Sequence, residues 1–153
     1  MRTRSLKVID LAVHKVATTS ADKSILDCAR QMRLEHVGSL VVTDEANHPI
    51  GMITDRDVAI EGVARELDLA ATKVGDLMTA PVVTARENEG MVTALARMRE
   101  NGIRRLPIVN DEGCLVGVVT NSNLIKELSG LLDGLVRNIS SSKTREVALR
   151  SDL

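Results

Sequence analysis

Not one phenylalanine, tyrosine or tryptophan occurs among the 153 residues of this chain. Its core must therefore be Val, Leu, Ile, Met and Ala, and no nucleobase can stack on an aromatic ring. That removes the sequence-tolerant platform on which single-stranded nucleic acids are commonly held. Any purine bound here would lie between aliphatic side chains and backbone groups. A charge surplus is missing too: 20 basic and 21 acidic residues leave a net charge of −1. A dedicated nucleic-acid binder usually carries a basic excess. The local basic cluster Arg137, Lys143, Arg145 and Arg150 is diluted by Glu146 and Asp152.

Cysteine is scarce. Cys28 falls on an apolar helical stripe and Cys114 in a predicted turn, far apart in unlike contexts. A disulfide framework is not expected, and a reducing cytoplasm suits such usage. The N-terminus has charge but no apolar segment of signal-peptide length, and no run approaches the length of a membrane span. A soluble, cytoplasmic protein without nucleic-acid or membrane partners is expected. The three histidines, His14, His36 and His48, have no metal-ligand spacing with each other or with the cysteines. His36 reads as the end of a helix. Nothing resembles a nucleophile beside its activating base, so neither a metal site nor an enzyme is expected.

What the chain does have is a repeat. At an offset of 66 residues, the distance from Thr54 to Thr120, two stretches register without a gap from Val8 to Leu124. Val8, Asp10, Leu11, Met32, Leu40, Gly51 and Thr54 meet Val74, Asp76, Leu77, Met98, Leu106, Gly117 and Thr120. A unit of about 60 residues is marginal alone, so two copies should share a core and a groove. The repeats are placed at residues 6–66 and 74–130, with a linker at 67–73 and a C-terminal tail at 131–153.

Each copy reads strand, helix, strand, strand, helix. In the first, Val16-Ala17-Thr18 is extended, and Ser24 with Asp27 three residues on forms a shortened capping box. Ile25, Cys28, Ala29 and Met32 then recur at helical spacing, as do Met91, Ala94, Leu95 and Met98. Val37–Val42 and Ile50–Ile53 make a β-hairpin around the turn formers Asp44–His48, and the second copy repeats it around Asn110–Cys114. A second helix starts after Thr54 and after Thr120. The latter is expected to run to about Leu128, with Gly130 and Gly134 interrupting it. Ser140-Ser141-Ser142 marks a loosening, and the final dozen residues are expected to be mobile or to dock on a partner.

The most informative motif is Gly51-Met52-Ile53-Thr54-Asp55-Arg56-Asp57, echoed by Gly117-Val118-Val119-Thr120-Asn121-Ser122-Asn123. A glycine in a short apolar strand permits close approach by another backbone or a ligand. Thr54 stands at a strand-to-helix junction, where free N–H groups favour an anion. The Asp57 carboxylate, one turn on, can accept two hydrogen bonds from a ribose diol. The same pair also makes a helix capping box. Both roles can hold together.

These residues resemble the CBS domain, and the whole chain resembles a tandem CBS pair, or Bateman module. The strand Arg104-Arg105-Leu106-Pro107-Ile108-Val109 and the opening Val74-Gly75-Asp76-Leu77-Met78-Thr79-Ala80-Pro81-Val82-Val83-Thr84 carry the likeness as well. Membership implies a mixed α/β (α+β) fold: two β-α-β-β-α repeats packed with pseudo-two-fold symmetry. It implies clefts for adenosine-type compounds such as AMP, ADP, ATP, S-adenosylmethionine or NAD. Asp57 would then hold the ribose, Thr54 the ribose or phosphate, and Arg56 would add a polar contact. Thr18 and Thr84, on the opening strands, would line the base pocket. So would Val37, Gly38 and Ser39 in the first copy and Ile103, Arg104, Arg105 and Pro107 in the second. By type the arginines are the best phosphate ligands, and alternation along a strand would aim only one of the two at the ligand.

Two departures matter. Asn123 replaces the acidic residue in the second copy, losing a charge and about 1–2 kcal/mol of hydrogen bonding. The site built on Thr120 and Asn123 should be weaker or empty. The first copy has Ala12-Val13-His14-Lys15 where the second has Met78-Thr79-Ala80-Pro81. The leading expectation is a stand-alone regulatory module that binds AMP or ATP, forms a homodimer and signals in trans to a partner protein. The alternative is a ligand-free assembly module. A fragment of a larger enzyme or channel is disfavoured, because Met1 stands just ahead of the first repeat and no catalytic segment follows the second.

Overall fold

The computed structural model describes residues 6–151. A 3-10 turn at Val8–Leu11 precedes strand β1 (Thr18–Thr19), helix α1 (Ile25–Glu35), and strands β2 (Ser39–Thr43) and β3 (Pro49–Thr54). Helix α2 (Asp55–Asp57) continues as a π-helical stretch over Val58–Val63. A short α3 (Val74–Leu77) then leads to β4 (Ala85–Arg86), α4 (Met91–Glu100), β5 (Arg105–Val109), β6 (Leu115–Thr120) and α5 (Asn121–Ser151). The order is that expected of two β-α-β-β-α units. The chain divides into two compact units between Val119 and Thr120, and α5 belongs to the second.

Two three-stranded sheets form, β1-β2-β3 and β4-β5-β6. Parallel pairing sets Thr19 opposite Val42 and Ala85 opposite Ile108, the same pair one repeat apart. The antiparallel hairpin sets Leu40 opposite Ile53. Helix α1 starts at Ser24, whose hydroxyl accepts from the Asp27 N–H. It ends at His36, left-handed at φ 55, whose N–H reaches the Met32 carbonyl. Its apolar stripe Ile25, Cys28 and Met32 is buried against Leu40, Val42 and Ile53. Both thiols are free, and burial pushes the Cys28 thiol up. In α4 the buried set is Met91, Ala94 and Met98. Leu95, expected on that stripe, lies at its margin and is 41% exposed.

The repeats are joined by hydrogen bonds that come in symmetric pairs. Met52 and Thr79 exchange two backbone bonds of 3.0 and 2.8 Å, and Val118 and Val13, one repeat away in each case, exchange two of 3.0 and 2.9 Å. Likewise the Val74 N–H donates to the Lys23 carbonyl at 2.8 Å and the Val8 N–H to the Glu89 carbonyl at 2.9 Å. Each opening turn is thus bonded to the segment just ahead of the other copy's first helix. Val74 is wholly buried in the core of the first repeat. Residues of the expected linker also attach there, since the carbonyls of Leu69 and Thr72 accept from Leu26 and Ile25.

A further bond breaks the symmetry. The Leu115 N–H donates to the Asn47 carbonyl at 2.9 Å, while the Asn47 carboxamide donates back to the Leu115 carbonyl at 3.2 Å. The counterpart of Leu115 is Pro49, which has no N–H to give. The hairpin tips are therefore latched on one side by a bond the other side cannot make.

The tail departs from expectation. One helix runs from Asn121 to Ser151, where a break after Leu128 and loosening at Ser140 were expected. A glycine costs a helix only about 1 kcal/mol relative to alanine, so Gly130 and Gly134 do not end it. The serines are absorbed by donating to carbonyls one turn back: Ser140 to Val136, Ser141 to Arg137 and Ser142 to Asn138, at 2.9–3.0 Å. The last two residues of the expected mobile segment, 152–153, lie outside the described residues. No helix among the described residues is long and apolar enough to cross a membrane.

Gly51 and Gly117 are glycines because the other repeat's backbone passes over them. A Cβ on Gly51 would sit 2.6 Å from Met78 Sδ and 3.0 Å from the Thr79 carbonyl oxygen. On Gly117 it would sit 3.2 Å from the Val13 carbonyl oxygen. The methionine can swing away, but the bridged carbonyl cannot. Gly51→Ala is expected to lower stability by about 1–3 kcal/mol, as overpacking does, with the smaller loss at Gly117→Ala; urea denaturation of both variants checks the order.

Candidate functional site

Pairing Met52 with Thr79 leaves an open cavity of about 180 Å³ beside the crossing. Met52 and Thr54 of the first repeat form one wall, and Thr79, Pro81, Val82 and Val83 of the second form another. Ile103, Arg104 and Arg105, at the foot of β5, complete it. The volume is below the few hundred Å³ of a typical small-molecule site. It suits one ring system, with the rest of a ligand in the mouth. Its lining is mostly apolar, with two threonines, and its two charged residues are both arginines.

Local structure explains why both arginines are there. Alternation would point one of them away, but Arg104 lies in the bend before the strand and only Arg105 belongs to β5. The alternation argument does not apply across that boundary, and both residues line the cavity. Arg104 is exposed and Arg105 half-buried. The carboxylates of Asp55 and Asp57 are both engaged at the helix start.

That helix start is a complete capping box. The Thr54 N–H and hydroxyl both donate to Asp57 Oδ2, at 2.8 and 3.0 Å, and Thr54 Oγ1 accepts from the Asp57 N–H at 3.2 Å. Both bonds that reach the carboxylate fall on one oxygen. Asp55 Oδ1 accepts from the Arg56 N–H at 2.8 Å, and the Arg56 side chain is exposed. In the second copy the Thr120 hydroxyl donates to Asn123 Oδ1, and the Asn123 N–H donates to Thr120 Oγ1 at 3.1 Å. The cap survives there without the charge.

The remaining candidates are dispersed. Thr84 is half-buried just before β4 and its carbonyl accepts from Arg97 at 2.8 Å, as the Thr18 carbonyl accepts from Gln31 at 2.8 Å. Pro107 is fully buried in the core. Val37 lines a second hollow with Lys15, Val16, Ala17, Leu34 and Glu35. Gly38 receives the Asp55 N–H on its carbonyl at 3.0 Å, and Ser39 pairs with Thr54 across the hairpin. In the register of the repeat, Lys15, Val16, Ala17 and Val37 correspond to Pro81, Val82, Val83 and Ile103, while Gly38 and Ser39 stand for the two arginines. The two hollows thus have different charge.

Met52, Thr79, Pro81, Val82 and Val83 are lining residues that sequence reasoning did not single out. The Met-Thr-x-Pro opening that carries two of these positions, Thr79 and Pro81, was visible. What was not visible is that it meets the other repeat's Thr54 motif.

Arg97 ties Thr84, next after the lining residues Val82 and Val83, to Glu89. It donates to Glu89 Oε1 at 3.0 Å and lies 2.9 Å from Oε2, besides bonding the Thr84 carbonyl. Burial alone would raise the Glu89 carboxyl, but the Arg86 N–H and the Arg97 guanidinium outweigh it and hold the group below its usual value. Among the described residues no three His, Cys, Asp or Glu side chains converge as a metal site would require.

The two sheets, the crossed openings and the repeated Thr-x-x-Asp/Asn box agree with one family. The CBS domain model matches residues 8–62 and again 74–130, and the chain belongs to that family. It is 35% identical over 117 residues to a CBS domain-containing protein of Bacillus subtilis, YhcV, covering 76% of this chain and 81% of that one. It is 37% identical over 123 residues to an uncharacterized protein of Methanopyrus kandleri, covering 80% of this chain. The match spans 63% of that relative's length, less than two thirds. A solved CBS domain pair in complex with 5'-methylthioadenosine and S-adenosyl-L-methionine aligns with a TM-score of 0.73 at 25% identity, over 82% of this chain and 98% of that one.

The Glu89 carboxylate is depressed in the folded state, so its stabilisation is complete above the ordinary glutamate pKa of about 4.3 and fades as pH falls through the lowered value. Glu89→Gln should therefore be less stable than the parent at neutral pH, with the gap closing on acidification. Denaturation curves of both proteins at neutral and acid pH check this.

Proposed function

We propose that the chain is a regulatory module that binds an adenosine nucleotide carrying phosphate, AMP or ATP, in the cavity between its repeats. The observation that carries this reading is the meeting of Thr54 with two arginines around an aliphatic slot. An adenine would lie between Val82, Val83 and Ile103, where no aromatic ring is needed. Asp57, its Oδ2 already oriented by Thr54, would present Oδ1 to the ribose diol. Arg104 and Arg105 would take the phosphate, for which guanidinium groups are geometrically matched. The relative crystallised with 5'-methylthioadenosine supports the adenosyl part of this reading. The arginines support the phosphate.

A ligand touching both repeats favours whichever relative setting of the two gives it better contacts. The response would pass to a partner protein or through a homodimer. The site on Thr120 and Asn123 would be the weaker one, having lost the carboxylate.

Asparagine at the second site gives a control for the first. Asp57→Asn should keep the cap, as Asn123 does, yet weaken nucleotide binding by about 5- to 30-fold, the loss of 1–2 kcal/mol. Calorimetric titration with AMP, ATP and 5'-methylthioadenosine measures this, and thermal melting confirms the fold. Unchanged affinity would reduce Asp57 to a cap. Arg104→Gln/Arg105→Gln should weaken AMP and ATP at least tenfold while sparing 5'-methylthioadenosine, which has no phosphate. Because the chain lacks Trp and Tyr, nucleotide carried through purification would also appear as a 260 nm band on an almost transparent protein. Three null titrations would overturn the proposal and favour an assembly role.

A further inference from the structure

We propose that helix α5 is a self-association element, pairing through its apolar face with the same face of a second copy of this chain. The inference does not rest on the nucleotide reading. Ile125, Leu128, Leu132, Leu135 and Ile139 alternate spacings of three and four along α5. Their mean repeat of 3.5 residues is the seam of a left-handed coiled coil. All five are more than half exposed, from 51% at Ile139 to 63% at Ile125 and Leu132. A contiguous apolar face of this extent marks an interaction surface.

The details favour a second copy. Leu131 and Val136 flank the seam and are 69% and 61% exposed. They lie five residues apart, at the two positions that face each other across a parallel, in-register pair. Leu131 of one copy then covers Val136 of the other, and the reverse, as an isologous interface requires. Isoleucine at two of the three first seam positions, with leucine at both second positions, favours two parallel strands. The face ends at Ser142, whose hydroxyl bonds the Asn138 carbonyl.

The opposite face argues against a lipid partner. It carries Lys126, Glu127, Asp133 and Arg137, balanced in sign, with Arg137 and Asp133 paired at 2.9 Å. A helix that lies on an anionic membrane concentrates Lys and Arg there.

The test uses the full chain. Sedimentation equilibrium would compare it with Leu132→Glu/Leu135→Glu and with Ser141→Glu, which lies on the polar face. The seam variant should halve the mass, or raise the dissociation constant at least tenfold if another interface also joins the copies. Ser141→Glu should change neither. An unsubstituted chain that is monomeric at every concentration, or a seam variant that associates as the parent does, overturns the proposal. Should the glutamates unravel the helix, seen by circular dichroism, cross-linking decides. In a Cys114→Ser background, Leu135→Cys should give a covalent dimer in air and Ser141→Cys should not; the reverse pattern overturns the proposal. So would a monomer that binds vesicles of phosphatidylserine and phosphatidylcholine through this face.

Discussion

The crossing of Met52 with Thr79, and of Val118 with Val13, is the constraint on which the rest of the molecule depends. At each crossing a strand of one repeat is bonded by its backbone to the opening segment of the other. Such proximity leaves no room for a side chain at Gly51 and little at Gly117. It also fixes the distance between the end of β3 and the Thr79–Val83 segment, and that distance is the width of the cavity. The site is thus a by-product of how the halves are joined. A change in that joint would be felt in the cavity without any residue of the cavity being altered.

Exchange of opening turns explains why repeats this small hold together. Val74 fills the core beneath α1, so the first repeat's interior is completed by a residue of the second. Val8, equally buried, is bonded to Glu89 at the head of α4. A unit of about 60 residues has too little interior to be robust alone, and each borrows from its neighbour. Pseudo-symmetry then breaks at polar positions. Pro49 cannot return the bond that Leu115 makes to Asn47, Asn123 stands for Asp57, and Gly38 and Ser39 stand for Arg104 and Arg105. The backbone is nearly symmetric while the charge is not, which is how one framework can present two unlike hollows.

Most of the fold was readable from residue order because its signals are local. Apolar spacing marks α1 and α4, turn formers mark the hairpins, and Ser24 and Thr54 mark helix starts. The failures have physical causes. Leu95 was placed on the buried stripe because periodicity cannot see the edge of a contact face. Helix α5 was cut short because glycine and serine were weighed as breakers, although their penalties are small against the bonds of a long helix. For the site, the Thr54 box and the two arginines were visible, but not that a bend before β5 would bring both arginines to one side. Nor could a single repeat reveal that its motif faces the opening of the other, because that pairing exists only between copies.

The capping box and a binding role for Asp57 are sometimes weighed as rivals, yet here the first prepares the second. Both donors of Thr54 fall on Oδ2. The carboxylate is therefore held in one orientation before any ligand arrives, and ordering it at binding costs little. A flexible aspartate would lose that advantage. A cap made by asparagine, as at Asn123, keeps the orientation but presents an amide where the second carboxylate oxygen would be. It can still accept through its one oxygen, but that oxygen is already taken by Thr120. The atom left over is an N–H donor, so a diol would have to present an acceptor to it instead of two donors to a charge. The two boxes stabilise their helix starts in similar ways and offer opposite hydrogen-bonding character to whatever lies beside them. That inversion, more than the loss of one charge, is what separates the two halves of this chain.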